Sequence, residues 1–395
     1  MASQAGYCRS ELLSGADRAH LPVSAVRRTS PLILGGGPAG CAAATLLARA
    51  GAKPLVLERT RAPQDIVCGG FLSADTVGLL EHVGLSASAL GAHPITRLRV
   101  IAGERVQEMA LPFMAFGLSR RTLDAALLAQ AGDAGAGIER GVTLKMLDRT
   151  QRRVHLNDGS TLSGDTIMLG TGKHDLRGAL RPPDARGSDP AVGLRARLAP
   201  STHLSYILNN VIELHVFPRG YAGLLLLEDG AANLCLSVSR SHLAAARSPA
   251  ALVAALARTN PLLGDRLAQA HATGPWASIA NIPYGWRAEP DRPGIFRLGD
   301  QGAVIASLAG DGIGIALASG CMAASAWQRG GAEASARFQS SLSARTRLPL
   351  QVAGGLKWLA ERPYAHGPLL GLMAHMPALA RLAITATRVV TNPRP

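Results

Sequence analysis

Aromatic residues are scarce: Phe, Trp and Tyr make up 4% of the 395 residues, so the core must be mostly aliphatic. Lysine is nearly missing. Only Lys53, Lys145, Lys173 and Lys357 occur, and the net charge of +14 is carried by arginine. The five cysteines, Cys8, Cys41, Cys68, Cys235 and Cys321, are scattered and form no CxxC pair. That argues against a disulfide framework and a metal site, and for reduced thiols in a cytoplasmic protein. No stretch reaches the roughly 18 uninterrupted apolar residues of a transmembrane helix. Helix-turn-helix, zinc-finger and RNA-binding motifs are lacking, so the positive charge does not signal nucleic acid. The charge is either an arginine-rich solvated surface or attraction to an anionic partner: NADPH, a coenzyme A thioester, an acidic carrier protein or a membrane surface.

What is present is enough apolar sequence, 47% hydrophobic against 17% charged, for a large core of two or three structural units. The chain is organised around residues 31–59. Pro31–Leu34 is a short apolar run, Gly35-Gly36-Gly37-Pro38-Ala39-Gly40 fits Gly-x-Gly-x-x-Gly, Cys41–Ala50 reads as a helix, and Pro54–Leu57 is a second apolar run closed by Glu58. Strand, glycine turn, helix, strand and acid together make one dinucleotide-binding βαβ unit. Gly35 permits the tight turn, Gly37 lets a pyrophosphate approach the backbone, and Gly40 allows close packing of helix on strand. The helix N-terminus offers N–H groups and the positive dipole end to phosphates, and Glu58 is placed for the adenosine ribose hydroxyls.

A second glycine-rich stretch follows much later. Ile295–Leu298 is a short apolar run, then come Gly299-Asp300 and, after a gap, Gly310-Asp311-Gly312 opening an apolar helix. Between the two stretches lies Ser119-Arg120-Arg121-Thr122-Leu123-Asp124. This order resembles the FAD-dependent flavoproteins related to aromatic hydroxylases of the p-hydroxybenzoate hydroxylase type and to geranylgeranyl reductases. The resemblance implies FAD, with Asp300 on its ribityl chain, Arg120 reaching it, and the helix start at Gly310 and Gly312 facing the flavin ring. The cofactor-binding set it implies is Gly35, Gly37, Pro38, Ala39, Gly40, Glu58, Arg59, Arg120, Gly299, Asp300, Gly310, Gly312 and Ile313.

The fold class expected is α/β: a Rossmann-like FAD-binding domain, an antiparallel β-sheet substrate domain and a C-terminal helical region. Residues 1–30 form an extension, disordered or preceding the true start, without the apolar core of a secretory signal. The FAD-binding domain is assembled from 31–92, 118–182 and 291–330, the substrate domain from 93–117 and 183–290, and helices fill 331–395. Strand-like segments include Thr96–Val100, Val106–Leu111, Val192–Leu198, Leu204–Leu208, Ile212–Phe217, Ala222–Leu227 and Asn233–Val238, with Asn157-Asp158-Gly159 marking a hairpin. The C-terminal helices are expected at Ala334–Leu342, Leu348–Leu359, Leu369–Met376 and Leu379–Val390, packed on the sheet or facing a membrane or substrate tunnel.

Two residues are candidates for chemistry. Cys68, in Val67-Cys68-Gly69-Gly70, matches a Cys-Gly-Gly of the resembled family and is a candidate proton donor; a small buried thiol beside a turn is the alternative. Tyr221, in Phe217-Pro218-Arg219-Gly220-Tyr221, is a candidate for stacking on or hydrogen-bonding a ligand, or a tyrosine bridging core and rim. His174 reads as a loop histidine beside the cofactor. The Trp and Pro that geranylgeranyl reductases carry after the Tyr221 turn are replaced by Ala222–Leu227. The Trp-x-Trp-x-Ile-Pro spacing of flavin halogenases is missing too, as is a lysine between Lys53 and Lys145. The reaction expected is hydroxylation of an aromatic or polyketide-like small molecule. NAD(P)H would visit transiently, or a separate flavin reductase would feed the electrons, and the substrate is free or tethered to a carrier protein or coenzyme A. Reduction of a carbon–carbon double bond and flavin binding without turnover are the alternatives.

Overall fold

The computed structural model describes residues 27–268 and 270–389, so most of the extension, Cys8 included, lies outside the described residues. Before the first apolar run, Arg27–Arg28 already pairs in parallel with Leu162–Ser163 at the edge of a small four-stranded sheet.

A five-stranded parallel sheet holds the βαβ unit. Its order is Ile295–Arg297, Ile167–Leu169, Leu32–Leu34, Leu55–Glu58, Gly137–Arg140. Leu32–Leu34 and Ile167–Leu169 are three-residue strands with every residue buried, as expected of a sheet covered on both faces. The chain leaves Leu32–Leu34 toward Leu55–Glu58 on one side, and Ile167–Leu169 lies on the other. A crevice therefore opens beyond the carboxyl ends of these strands, where doubly wound folds bind ligands. Helix Pro38–Arg49 starts with Pro at its first turn, where a missing N–H costs nothing.

Helix Pro38–Arg49 crosses helix Gly312–Gly330 at backbone distance. A Cβ on Gly320 would stand 2.3 Å from the Ala39 carbonyl oxygen, and one on Gly40 would stand 2.0 Å from that of Gly35. Small residues at these crossings bring the N-termini of both helices to the same crevice.

The second sheet has eight strands in the order Ala277–Ile282, Ala191–Leu198, Ala232–Ser239, Gly220–Leu226, Asn210–Phe217, His93–Ala102, Arg105–Gly117, Phe71–Leu72. It is antiparallel except where Asn210–Phe217 runs parallel to His93–Ala102. The strand Ala277–Ile282 at one edge was not evident from the residues alone. The strand expected at Leu204–Leu208 is instead helix Thr202–Ile207, with Ser201 Oγ accepting the Leu204 N–H at its start. A serine cap followed by Thr-His is a helix start that the alternation of apolar residues concealed.

The C-terminal region is helical, but the first two helices expected there are one, Ser335–Ala360, with Pro349 inside. Its buried residues Ser335, Phe338, Gln339, Leu342, Thr346, Pro349, Leu350 and Ala353 keep a helical spacing through the proline. Packing of that stripe outweighs the lost hydrogen bond. Helices Pro363–His375 and Pro377–Ala386 follow, bent by 108°. Among the described residues no single helix is long and apolar enough to cross a membrane.

One buried ion cluster ties the second sheet to its helices. Glu213, on Asn210–Phe217, contacts Arg99 at 2.6 Å, Arg266 at 3.1 Å and His215 at 3.2 Å. Burial alone would raise its carboxyl pKa, but hydrogen bonds from His215, Arg266 and Arg99 win and lower it to about 2. A depressed acid stabilises the fold above its unfolded value and loses that contribution as pH falls through its folded value. Stability is thus expected to drop between about pH 4.5 and about pH 2. Glu213→Gln should cost about 3–5 kcal/mol in urea unfolding at neutral pH and flatten that acid limb; an unchanged midpoint would refute this role.

Candidate functional site

A cavity of about 710 Å³ opens beyond the parallel sheet and runs between helix Pro38–Arg49 and the underside of the eight-stranded sheet. Of the residues singled out in the sequence, all except Gly40 and Tyr221 line it.

At one end is the glycine turn. Gly35 has φ +112, and a Cβ there would lie 2.4 Å from the Gly170 carbonyl oxygen, so only glycine fits. A Cβ on Gly37 would meet nothing nearer than an Arg120 guanidinium nitrogen at 3.7 Å, which leaves its backbone open to an incoming group. No side chain caps this helix start. Glu58 is held rigidly: Oε2 accepts the Gly36 N–H at 2.8 Å, and Oε1 accepts the Thr60 N–H and hydroxyl at 2.7 Å. Beside it Arg140 donates to the Thr60 carbonyl, while its Nη2 is buried without a partner. Arg59 lies 3.5 Å from His174 Nε2. Burial, then the Arg59 and Lys173 charges, lower the His174 pKa.

In the middle, Arg120 forms two hydrogen bonds to Asp124, at 2.7 and 2.8 Å, and lines the cavity together with Cys68. Burial opposes its charge, but Asp124 outweighs this and raises its pKa. The Cys68 loop is pinned to the sheet: Asn233 Nδ2 donates to the carbonyls of Cys68 and Gly69 at 2.9 and 2.8 Å. Arg195 bridges Asn233 and Asp65. Burial pushes the neighbouring Cys235 thiol up to about 12.

At the other end, Gly299 has φ +52 and Asp300 Oδ2 accepts from Lys173 Nζ at 2.9 Å. Burial opposes the lysine charge, but Asp300 prevails and raises its pKa. Arg181 fixes this corner by donating to the carbonyls of Gly172, Lys173 and Asp300. Gly310 has φ +68, and a Cβ there would press on Phe71 at 2.9 Å; one on Gly312 would meet nothing. Asp311, whose orientation decides the field at this helix start, turns away from the cavity. Its carboxylate accepts the Val389 N–H at 3.0 Å and faces Arg388 at 3.4 Å. Burial raises its pKa to about 6, with Arg388 and Val389 pulling against it.

Tyr221 stands behind the wall. It is buried, its hydroxyl bonds Ser307 Oγ, and burial raises its pKa well above the usual value. Ser307 and Tyr284, joined at 2.5 Å, do line the cavity. Lys173, Arg140, Cys235, Tyr284 and Ser307 are lining residues the sequence did not single out as a set, since each arrives from a different element.

The comparisons with known proteins agree with this geometry. Residues 28–166 match the family described as FAD binding domain. The chain binds FAD. It is 26% identical to a menaquinone reductase of Mycolicibacterium smegmatis over 326 residues, covering 77% of each chain. In structure it is similar to the flavin-dependent brominase Bmp2, with a TM-score of 0.73, 14% identity, and coverage of 93% of this chain and 95% of that one. PqsL of P. aeruginosa, in complex with 2-aminobenzoylacetate, superposes with a TM-score of 0.67 at 18% identity, covering 88% of this chain and 99% of that one. The protein is an FAD-dependent oxidoreductase of the flavoprotein fold shared by these enzymes.

The residues fit that cofactor. The open backbone at Gly37 suits a pyrophosphate, the partnerless Arg140 nitrogen suits the adenosine end, and Asp300 with Lys173 suits a polyol chain. Two substitutions test the assignment by FAD titration of apoprotein. Gly35→Ala should abolish FAD retention through its clash and strained φ. Asp300→Asn, which keeps the shape and removes the charge, should weaken FAD about 10- to 100-fold. An Asp300→Asn protein with undiminished affinity would remove Asp300 from the cofactor's contacts.

Proposed function

We propose that this FAD-dependent oxidoreductase is a monooxygenase that hydroxylates an apolar aromatic substrate. NAD(P)H would serve as the transient reductant, or a separate flavin reductase would supply the electrons. The observation that carries the reading is the hydroxyl chain at the apolar end of the cavity. Tyr284 faces a space walled by Ile279, Ile282, Ile305, Leu236 and Ile313. Its hydroxyl is held by Ser307 Oγ at 2.5 Å and by Ser237 Oγ at 3.3 Å, and Ser307 continues to Tyr221.

Bound FAD supplies the two-electron and oxygen chemistry. The chain's own residues orient the substrate, polarise its hydroxyl and exclude water. A phenolic hydroxyl placed against Tyr284 would donate a hydrogen bond to the Tyr284 oxygen, itself fixed in the Tyr284–Ser307–Tyr221 chain, which raises electron density on the ring. Burial raises the Tyr284 pKa, while hydrogen bonds from Ser237 and Ser307 and the Lys173 charge lower it. Lys173 thus helps to hold a developing negative charge at this end. Helix Gly312–Gly330 presents uncapped N–H groups to the same space, and the turned-away Asp311 does not cancel them. PqsL offers a precedent for an aromatic ligand on this fold.

A second reading, reduction of a carbon–carbon double bond, has its own support. The menaquinone reductase matches over three-quarters of both chains, and Cys68 lines the cavity as a candidate proton donor.

Turnover under labelled dioxygen separates the two. Hydroxylation should place one labelled oxygen atom in the product and stop without oxygen. A product heavier by two hydrogens, formed anaerobically, would replace it with the reductase. Under hydroxylation, Tyr284→Phe should lower kcat about 100-fold at unchanged FAD content.

A further inference from the structure

We propose that the elbow between helices Pro363–His375 and Pro377–Ala386 is a docking surface for an anionic lipid bilayer, on which the protein lies without spanning it.

The two helices have well-defined inner faces. Leu370, Met373 and Ala380 are buried with Val100, Met109, Val216 and Tyr221, which places the helices on the cavity-bearing face of the eight-stranded sheet, beside the Tyr221 end of the cavity. Their outer faces carry apolar side chains that no described residue covers. Met376 at the elbow is 54% exposed, Leu379 44% and Leu382 63%, and Pro377 and Ala378 between them are exposed as well. At the far end of Pro363–His375, Tyr364 and Trp358 are exposed in T-shaped contact at 6.2 Å, with the Arg362 guanidinium 4.1 Å from the Trp358 ring centre. The layer therefore has an apolar tip at one end and an amphipathic aromatic pair at the other, the residue types that settle at the headgroup boundary.

The charge around this surface has one sign. From residue 362 to residue 389 there is no acidic residue, Arg381 is exposed and Arg362 half-buried, while Arg388 is buried against Asp311. The nearest acid, Glu361, is held by Lys357 at 2.7 Å. Arg381 is exposed between Leu379 and Leu382. Apolar groups interleaved with cations, and no anion among them, match a phosphate-rich surface over a hydrocarbon interior. A second copy of the chain docked face to face would oppose cation to cation.

The helices are too short to cross. Thirteen and ten residues rise about 20 and 15 Å, against a hydrocarbon core of about 30 Å, and their inner faces are already packed on the sheet. Immersion is limited to the elbow and the outer face. The surface also connects with the site. The next residues, Arg388 and Val389, bind the Asp311 carboxylate at the start of the cavity helix, and Tyr221 beneath the helices belongs to the hydroxyl chain. An apolar substrate dissolved in the bilayer would thus lie next to the wall of the cavity.

The test uses the full-length, FAD-loaded protein and its partition onto sedimented vesicles. The protein should bind mixed phosphatidylglycerol–phosphatidylcholine vesicles, bind pure phosphatidylcholine at least tenfold less, and be partly released by salt. Leu379→Glu/Leu382→Glu should lower partition onto the mixed vesicles at least tenfold while flavin content and absorbance stay as in the parent. Arg381→Glu, a milder surface change, should lower it severalfold and covers the case of a double variant that loses its flavin. Trp358 emission should shift to the blue on binding, and Trp358→Phe should remove the shift. Absence of binding to mixed vesicles would overturn the proposal, and so would equal binding by parent and variants. A parent dimer that Leu379→Glu/Leu382→Glu converts to monomer, with no vesicle binding by either, would assign the surface to self-association instead.

Discussion

The structure depends on one close contact between two helix backbones. Helix Pro38–Arg49 meets helix Gly312–Gly330 where Gly320 lies against the Ala39 carbonyl, with no room for a side chain. Alanine and glycine at this crossing bury little area per residue, but they allow an approach that larger residues would prevent. Its consequence is geometric. Two helix N-termini, one following the glycine turn and one following Asp311, converge on a single crevice at the carboxyl end of the parallel sheet. Electrostatics at both ends of an extended anionic cofactor follow from that convergence.

A second level of order is polar. Glu58, Asp300, Asp124 and Asp65 each reach into or beside the cavity, and each is bound by cations or backbone N–H groups. Arg181 donates to three carbonyls of two separate loops. Such wiring costs desolvation, and its return is position: side chains that would contact a ligand are held before the ligand arrives. The eight-stranded sheet is joined in the same manner through Arg195 and Asn233, which keep the Cys68 loop against it.

Much of the cofactor site could be read from the residues because its signals are local. Gly35 is required by its positive φ, Gly40 by the Gly35 carbonyl packed against it, and Gly37 leaves the backbone between them open, all within six residues; Gly299 and Gly310 have positive φ as well. The remainder is distributed. Lys173 meets Asp300 from 127 positions away, and Tyr284, Ser307 and Tyr221 come from three elements to form one hydroxyl chain. No spacing rule encodes such meetings. The misread strand at Leu204–Leu208 and the helix that continues through Pro349 have a related cause: a serine cap and a tertiary packing stripe each outweighed the pattern of the residues around them.

The Asp311 carboxylate also bears on the order in which the molecule can assemble. Its partners Arg388 and Val389 lie 77 and 78 positions further along the chain. The glycine turn is set within one short βαβ unit, whereas this corner forms only after a long loop has closed. The start of the cavity helix is thus tied to the helices beyond it by a contact of high sequence separation, which places its completion among the late steps of folding.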